Sequence, residues 1–210
     1  MPYCGQYRLC GATVAVWRVT ETPEELSQFV AAEYAAEWRS RFGCNARCCE
    51  WLAVRALLKM ILGDDARIVY DAAGKPLVDG GGVYISVSHT RGYAVLAVSR
   101  DAEVGVDVEL LSRNALQAAG RFMEASALEG LAFDEASRVA LFHWCAKEAL
   151  YKVVGDLGGN FKENISVGAV VSPPGGSFCV SVTGLGDGAD ADFAAECVYD
   201  NGVLLVLCSR

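Results

Sequence analysis

The sequence is poor in the residues that several functional classes depend on. Eighteen lysines and arginines face 26 aspartates and glutamates across 210 residues, a formal charge of -8. Phosphate backbones are held by clustered cations, so a general nucleic-acid binder is excluded, and any contact with an anion has to be local. Histidine occurs only twice, as His89 and His143, with no metal-ligand spacing between them or to the cysteines. No apolar run, the one at 203–208 included, approaches the roughly 18 residues that a membrane-spanning helix needs, so no membrane partner is expected. Low-complexity stretches and long linkers are also missing.

What is plentiful is core-forming material. Hydrophobic residues make up 53% of the chain and charged residues 21%, a balance that excludes intrinsic disorder. The length suits one large domain or two lobes of about 100 residues each. Nine cysteines are many, but their number is odd, no CxxC pair occurs and no secretory leader precedes them, which points to free thiols and a cytoplasmic location. Cys44, Cys48 and Cys49 are close enough to raise a metal site, yet without a histidine partner they read as buried thiols.

The pattern of elements falls into two halves. An apolar strand at 13–19 precedes a helix start in which Thr22 caps, Pro23 takes the first helical position and Glu25 completes a capping box. Leu26, Val30, Tyr34 and Trp38 recur every four residues and predict one continuous amphipathic helix. A second helix is expected at 45–62, stopped by Gly63, with Cys49, Leu52, Ala53, Ala56, Met60 and Ile61 buried. Its other face carries Arg47, Trp51, Arg55 and Lys59 at intervals of four, either a solvated row partnered by Glu50 or part of an anion site. Strands follow at 83–88, 93–99 and 104–110, helices at 112–131 and 134–154, and strands at 165–171, 178–182, 193–199 and 203–208. The class is α+β, divided at 1–100 and 101–210.

Four short segments carry chemistry. In EVGVDVEL, alternation sends Val104, Val106, Val108 and Leu110 to one face and Gly105, Asp107 and Glu109 to the other, which is expected to lie away from the core. Two carboxylates so placed repel unless water or a cation lies between them, while a solvated edge strand is the ordinary alternative. In FHWCAKEALYKV, a rotation of about 100° per residue groups Trp144, Glu148 and Lys152 apart from a core face of Phe142, Ala146, Ala149 and Val153. Glu148 and Lys152 taken alone make an i,i+4 surface pair. Gly74-Lys75-Pro76 forms a turn into extended chain. Ser88-His89-Thr90 ends a strand with donors suited to phosphate oxygens.

The order GKP, SHT, GVDVE and WCAKEALYK resembles the Sfp-type 4′-phosphopantetheinyl transferases. That resemblance implies a pseudo-twofold pair of α+β lobes in one chain, with coenzyme A in the cleft between them. It implies Mg²⁺ on Asp107, Glu109 and Glu148, and coenzyme A phosphates on Lys75, Ser88 and His89, with Arg47 and Arg39 adding positive charge. The implied reaction is that of a holo-[acyl-carrier-protein] synthase type enzyme: a serine of an apo acyl or peptidyl carrier protein attacks the β-phosphorus and 3′,5′-adenosine bisphosphate leaves. Glu148 serves as base, directly or through water, and Lys152 stabilises the departing phosphate. The pathway of the carrier stays open, and a monomer is the simplest expectation. Two other readings remain: a non-catalytic relative that binds coenzyme A or a carrier protein, and an unrelated Mg²⁺-dependent phosphohydrolase, which leaves GKP and SHT without a purpose.

Overall fold

A computed structural model describes residues 3–155, 162–185 and 189–210. The chain forms two compact units, Met1–Asp101 and Ala102–Arg210.

The first unit is built on a four-stranded antiparallel sheet in the order β1 (Tyr3–Leu9), β2 (Ala12–Arg18), β6 (Tyr93–Ser99), β5 (Tyr84–Thr90). The 18-residue helix α3 (Asn45–Leu62) lies on one face, its Leu52, Ala53 and Ala56 packed with Ala15, Trp17, Leu96 and Val98. Gly63 ends it at φ 94°, a conformation that glycine adopts without steric cost. A two-stranded ribbon, β3 (Ile68–Tyr70) with β4 (Pro76–Val78), carries the Gly74-Lys75-Pro76 turn. Neither β1 nor this ribbon is anticipated by the sequence pattern.

The single helix expected after Thr22 is broken. The capping box forms as expected, but α1 covers only Pro23–Leu26. A 3₁₀ turn, Ser27–Phe29, follows, and α2 (Ala32–Arg41) starts afresh after Val30 and Ala31 adopt extended backbone. The Ser27 hydroxyl donates to the Glu24 carbonyl at 2.7 Å, a local bond that competes with continuation of the helix. Leu26, Val30, Tyr34 and Trp38 all remain buried, so the period marked the core face and not the continuity.

The row on α3 is also unlike its expectation. Trp51 and Arg55 are buried, with the Arg55 guanidinium 4.1 Å from the Trp51 ring centroid and donating to Tyr70 at 3.1 Å. The α2 residue Tyr34 meets Trp51 edge-on at 5.3 Å. Met60, expected inside, is exposed.

The second unit is a five-stranded antiparallel sheet in the order β7 (Val104–Leu110), β11 (Val203–Ser209), β10 (Ala189–Asp200), β9 (Gly175–Leu185), β8 (Ile165–Val167). The 22-residue helix α4 (Phe133–Val154) packs on one face, and Ala146, Ala149 and Leu150 share a core with Leu204, Val206 and Cys208. The helix expected at 112–131 reduces to two 3₁₀ turns, Leu116–Arg121 and Ala125–Leu128. Glu124 is extended between them, and burial of Phe122 and Met123 in the core fixes the segment in place of helical hydrogen bonds. Among the described residues no helix is long and apolar enough to cross a membrane.

Candidate functional site

In the second unit the site grows from a glycine. A Cβ on Gly105 would lie 1.9 Å from the Ala149 carbonyl oxygen and 2.9 Å from Val153 Cγ2. Only glycine lets α4 settle this closely on β7. Asp107 and Glu109 follow on the same face of β7. Their register partners on β11, Val206 and Leu204, belong to the core under α4. The expectation that this face lies away from the core is therefore wrong, as is the solvated-strand alternative: Asp107 and Glu109 are 6% and 7% exposed.

The helix meets these carboxylates with cations. Lys152 Nζ donates to Asp107 Oδ1 at 2.9 Å and to the Val106 carbonyl at 2.7 Å, so it reaches the strand and is not simply an i,i+4 partner of Glu148. Arg113, just beyond β7, pairs with Glu109 and lies 5.2 Å from the centroid of the Trp144 ring. Trp144 thus serves as a platform for a cation, and it touches Phe122 at 5.3 Å. Glu148 is half-buried. Burial raises its pKa first, the Asp107 charge raises it further, and Lys152 and Arg113 pull the other way. Cys145, fully buried one turn before Glu148, has its thiol pushed well up by burial and by Asp107.

Two further groups on α4 bracket the site. Lys147 is buried and donates to the Lys162 carbonyl at 3.1 Å. Burial and the nearby Lys162 charge lower it to about 8. His143 is lowered to about 4, chiefly by burial and then by Lys147.

Asp107, Glu148 and Lys152 are thus brought together, whereas Glu109 is turned to Arg113. Among the described residues no three His, Cys, Asp or Glu side chains converge as a metal-holding group. The donors are carboxylate oxygens, which suit a hard divalent cation, and Asp107 and Glu148 already feel each other's charge.

The first unit gathers a different set. Arg47, on the first turn of α3, faces His89 at the end of β5, and with Glu50, Arg91, Thr90 and Gly92 they line a cavity of about 470 Å³. Arg47 lies 3.0 Å from His89 Nε2 and 3.3 Å from Glu50 Oε2, and His89 Nδ1 lies 3.4 Å from the same oxygen. Ser88 is buried on the opposite face of β5: it pairs with Val95, whereas His89 pairs with Ala94, on the α3 side. Lys75 sits in the ribbon turn, where the Asp71 carboxylate accepts from its backbone N–H at 2.8 Å. Arg39 is exposed in the last turn of α2, 4.5 Å from the Trp38 ring centroid. Arg39, Lys75 and Ser88 do not line the cavity that Arg47 and His89 share.

Arg113 and Cys145 were not singled out from the sequence. Their signals were spacing alone: Arg113 follows Glu109 by four residues and Cys145 precedes Glu148 by three.

Known proteins match the same region. The family model for the 4′-phosphopantetheinyl transferase superfamily matches residues 103–201. The 4′-phosphopantetheinyl transferase HetI of Nostoc sp. is 26% identical over 163 residues, covering 68% of this chain and 69% of that protein. An L-aminoadipate-semialdehyde dehydrogenase-phosphopantetheinyl transferase of Xenopus laevis is 30% identical over 129 residues, covering 50% of this chain but only 42% of its own length. The matched segment contains β7 with Asp107 and Glu109 and the whole of α4 with Glu148 and Lys152. Through residues 103–201, the chain is thus similar to the 4′-phosphopantetheinyl transferase superfamily.

Proposed function

We propose that this chain transfers the 4′-phosphopantetheine group of coenzyme A to a serine of an apo acyl or peptidyl carrier protein, releasing 3′,5′-adenosine bisphosphate. The observation that carries the reading is the buried face of β7, where Asp107 meets Lys152 of α4 beside Glu148. A site for phosphoryl transfer has to position the diphosphate and offset its charge. Buried carboxylates edged by two cations fit that work better than a purely structural ion pair does.

Asp107, Glu148 and, after release from Arg113, Glu109 would hold Mg²⁺. Bound there, the ion supplies charge neutralisation to the diphosphate oxygens. The Glu148 carboxylate takes the proton from the serine hydroxyl, and its upward-shifted pKa brings its basicity nearer neutral pH. Lys152 presents its ammonium to the departing phosphate, while its bond to the Val106 carbonyl keeps it aimed along β7. In the first unit, Arg47 and His89 hold a phosphate of coenzyme A, while Arg39, Lys75 and Ser88 lie outside the cavity those two share.

Incubation with coenzyme A, Mg²⁺ and a panel of apo carrier proteins tests the reading by intact mass. A phosphopantetheinyl gain on the carrier serine is expected. Coenzyme A binding with no gain on any carrier identifies a binding protein instead, and release of phosphopantetheine or phosphate without a carrier identifies a hydrolase.

A further inference from the structure

The cavity of the first unit contains its own anion. Arginine has only N–H donors, so the 3.0 Å contact from Arg47 to His89 Nε2 requires a lone pair on that nitrogen. The ring proton is then on Nδ1, which lies 3.4 Å from Glu50 Oε2, the oxygen that accepts from Arg47. His89 is neutral in this arrangement, and its nitrogen nearest the Arg47 side is an acceptor. A phosphate monoester dianion offers acceptors alone and cannot use Nε2 as it stands.

We propose that phosphate binding here is proton-coupled: the phosphate takes Arg47 from Glu50, and His89 gains a proton at Nε2 while Glu50 keeps the Nδ1 hydrogen. This rests on the reading of Arg47 and His89 as a phosphate site and adds Glu50 as the residue that positions the imidazole. Nε2 changes from acceptor to donor, and the imidazolium lies between two anions that stabilise its charge. The charged and titratable groups that share this cavity with His89 are Arg47, Cys49 and Glu50 of α3 and Arg91 of the turn after β5. Cys49 stays a thiol, since burial pushes it up to about 11.

The bound state carries more protons than the free one, so affinity falls as pH rises, by up to about tenfold per pH unit. The test is calorimetry of the intact chain with 3′,5′-adenosine bisphosphate at pH 7.5 to 8, in buffers of different ionisation enthalpy. Those pH values keep the phosphate's own second ionisation nearly complete. The wild type is expected to take up close to one proton per ligand, Glu50→Gln less than half of that, and His89→Gln almost none. Binding by the wild type with no proton uptake overturns the coupling, as does uptake unchanged in His89→Gln. Uptake unchanged in Glu50→Gln removes Glu50 from it. If the wild type binds no bisphosphate, or Arg47→Ala binds it as tightly, the phosphate reading itself fails, and that result is separate from the others.

Discussion

Asp107 shows how much of a residue's role depends on what it is buried against. Alternation on β7 assigned it a face, but the sequence gives no sign that α4 covers that face, so a substitution harmless to folding is the natural expectation. The structure reverses it. The Asp107 side chain is 8% exposed and that of Lys152 28%, at 2.9 Å. Removing the carboxylate leaves a half-buried ammonium with only the Val106 carbonyl among the bonds described above. Asp107→Ala is expected to cost about 2 kcal/mol of stability, below the full value for breaking a buried pair because Lys152 reaches solvent. Asp107→Asn keeps a hydrogen-bond acceptor and the volume, so it should cost less than the alanine variant while reducing transfer by a similar factor of at least about a hundredfold. Urea unfolding midpoints set beside initial transfer rates separate the two effects. Equal stability loss with retained turnover in both variants would make the pair structural and remove Asp107 from the chemistry.

At the scale of elements, helices whose ends carry backbone signals were legible. α3 ends before Gly63 and α4 before Gly155, both at positive φ, and both agree with expectation to within a residue. Elements whose extent depends on packing were not: the capping box at Thr22 starts a helix that Val30 and Ala31 interrupt, and the segment containing Phe122 is held by burial. Gly105 belongs to this second kind, since it reads as a weak point in a strand until α4 is placed against it. Gly105→Ala is expected to cost about 3 kcal/mol or more, because the clash is with a backbone carbonyl and α4 has to move away from β7. Ala149→Gly leaves the carbonyl in place and should not rescue it. Transfer should fall with the displacement of Glu148 and Lys152, and thermal melting monitored by circular dichroism checks the stability loss. A melting temperature within a degree of wild type would mean that the closeness of α4 to β7 is not a constraint on the fold.

For the whole molecule, composition carried the reading of the cysteines as thiols, although Cys44, expected to be buried with Cys48 and Cys49, is exposed, and motif order carried the resemblance. Burial of the carboxylates and the Arg113 contact could not be read, because they depend on which face each helix covers, whereas the opposite faces of Ser88 and His89 follow from their adjacency in a strand. The thiols offer a test that spans both units. Cys44 and Cys179 are exposed, Cys4 and Cys10 half-buried, and Cys48, Cys49, Cys145, Cys197 and Cys208 buried. Cys48 and Cys49 lie in the core under α3, and the other three in the core under α4. A thiol reagent reaches a buried sulfur only through opening of the structure around it, so each group reports on its own core. Two thiols should react at once in the native protein and two more slowly, leaving five that appear only on unfolding. The two α3 sulfurs should appear together, and so should the three under α4, since each set shares one hydrophobic cluster. Mass spectrometry of the labelled peptides along a urea series resolves the order. Labelling of Cys145 as fast as Cys44 would show that α4 does not stay on β7, and the arrangement of Asp107, Glu148 and Lys152 would lose its support.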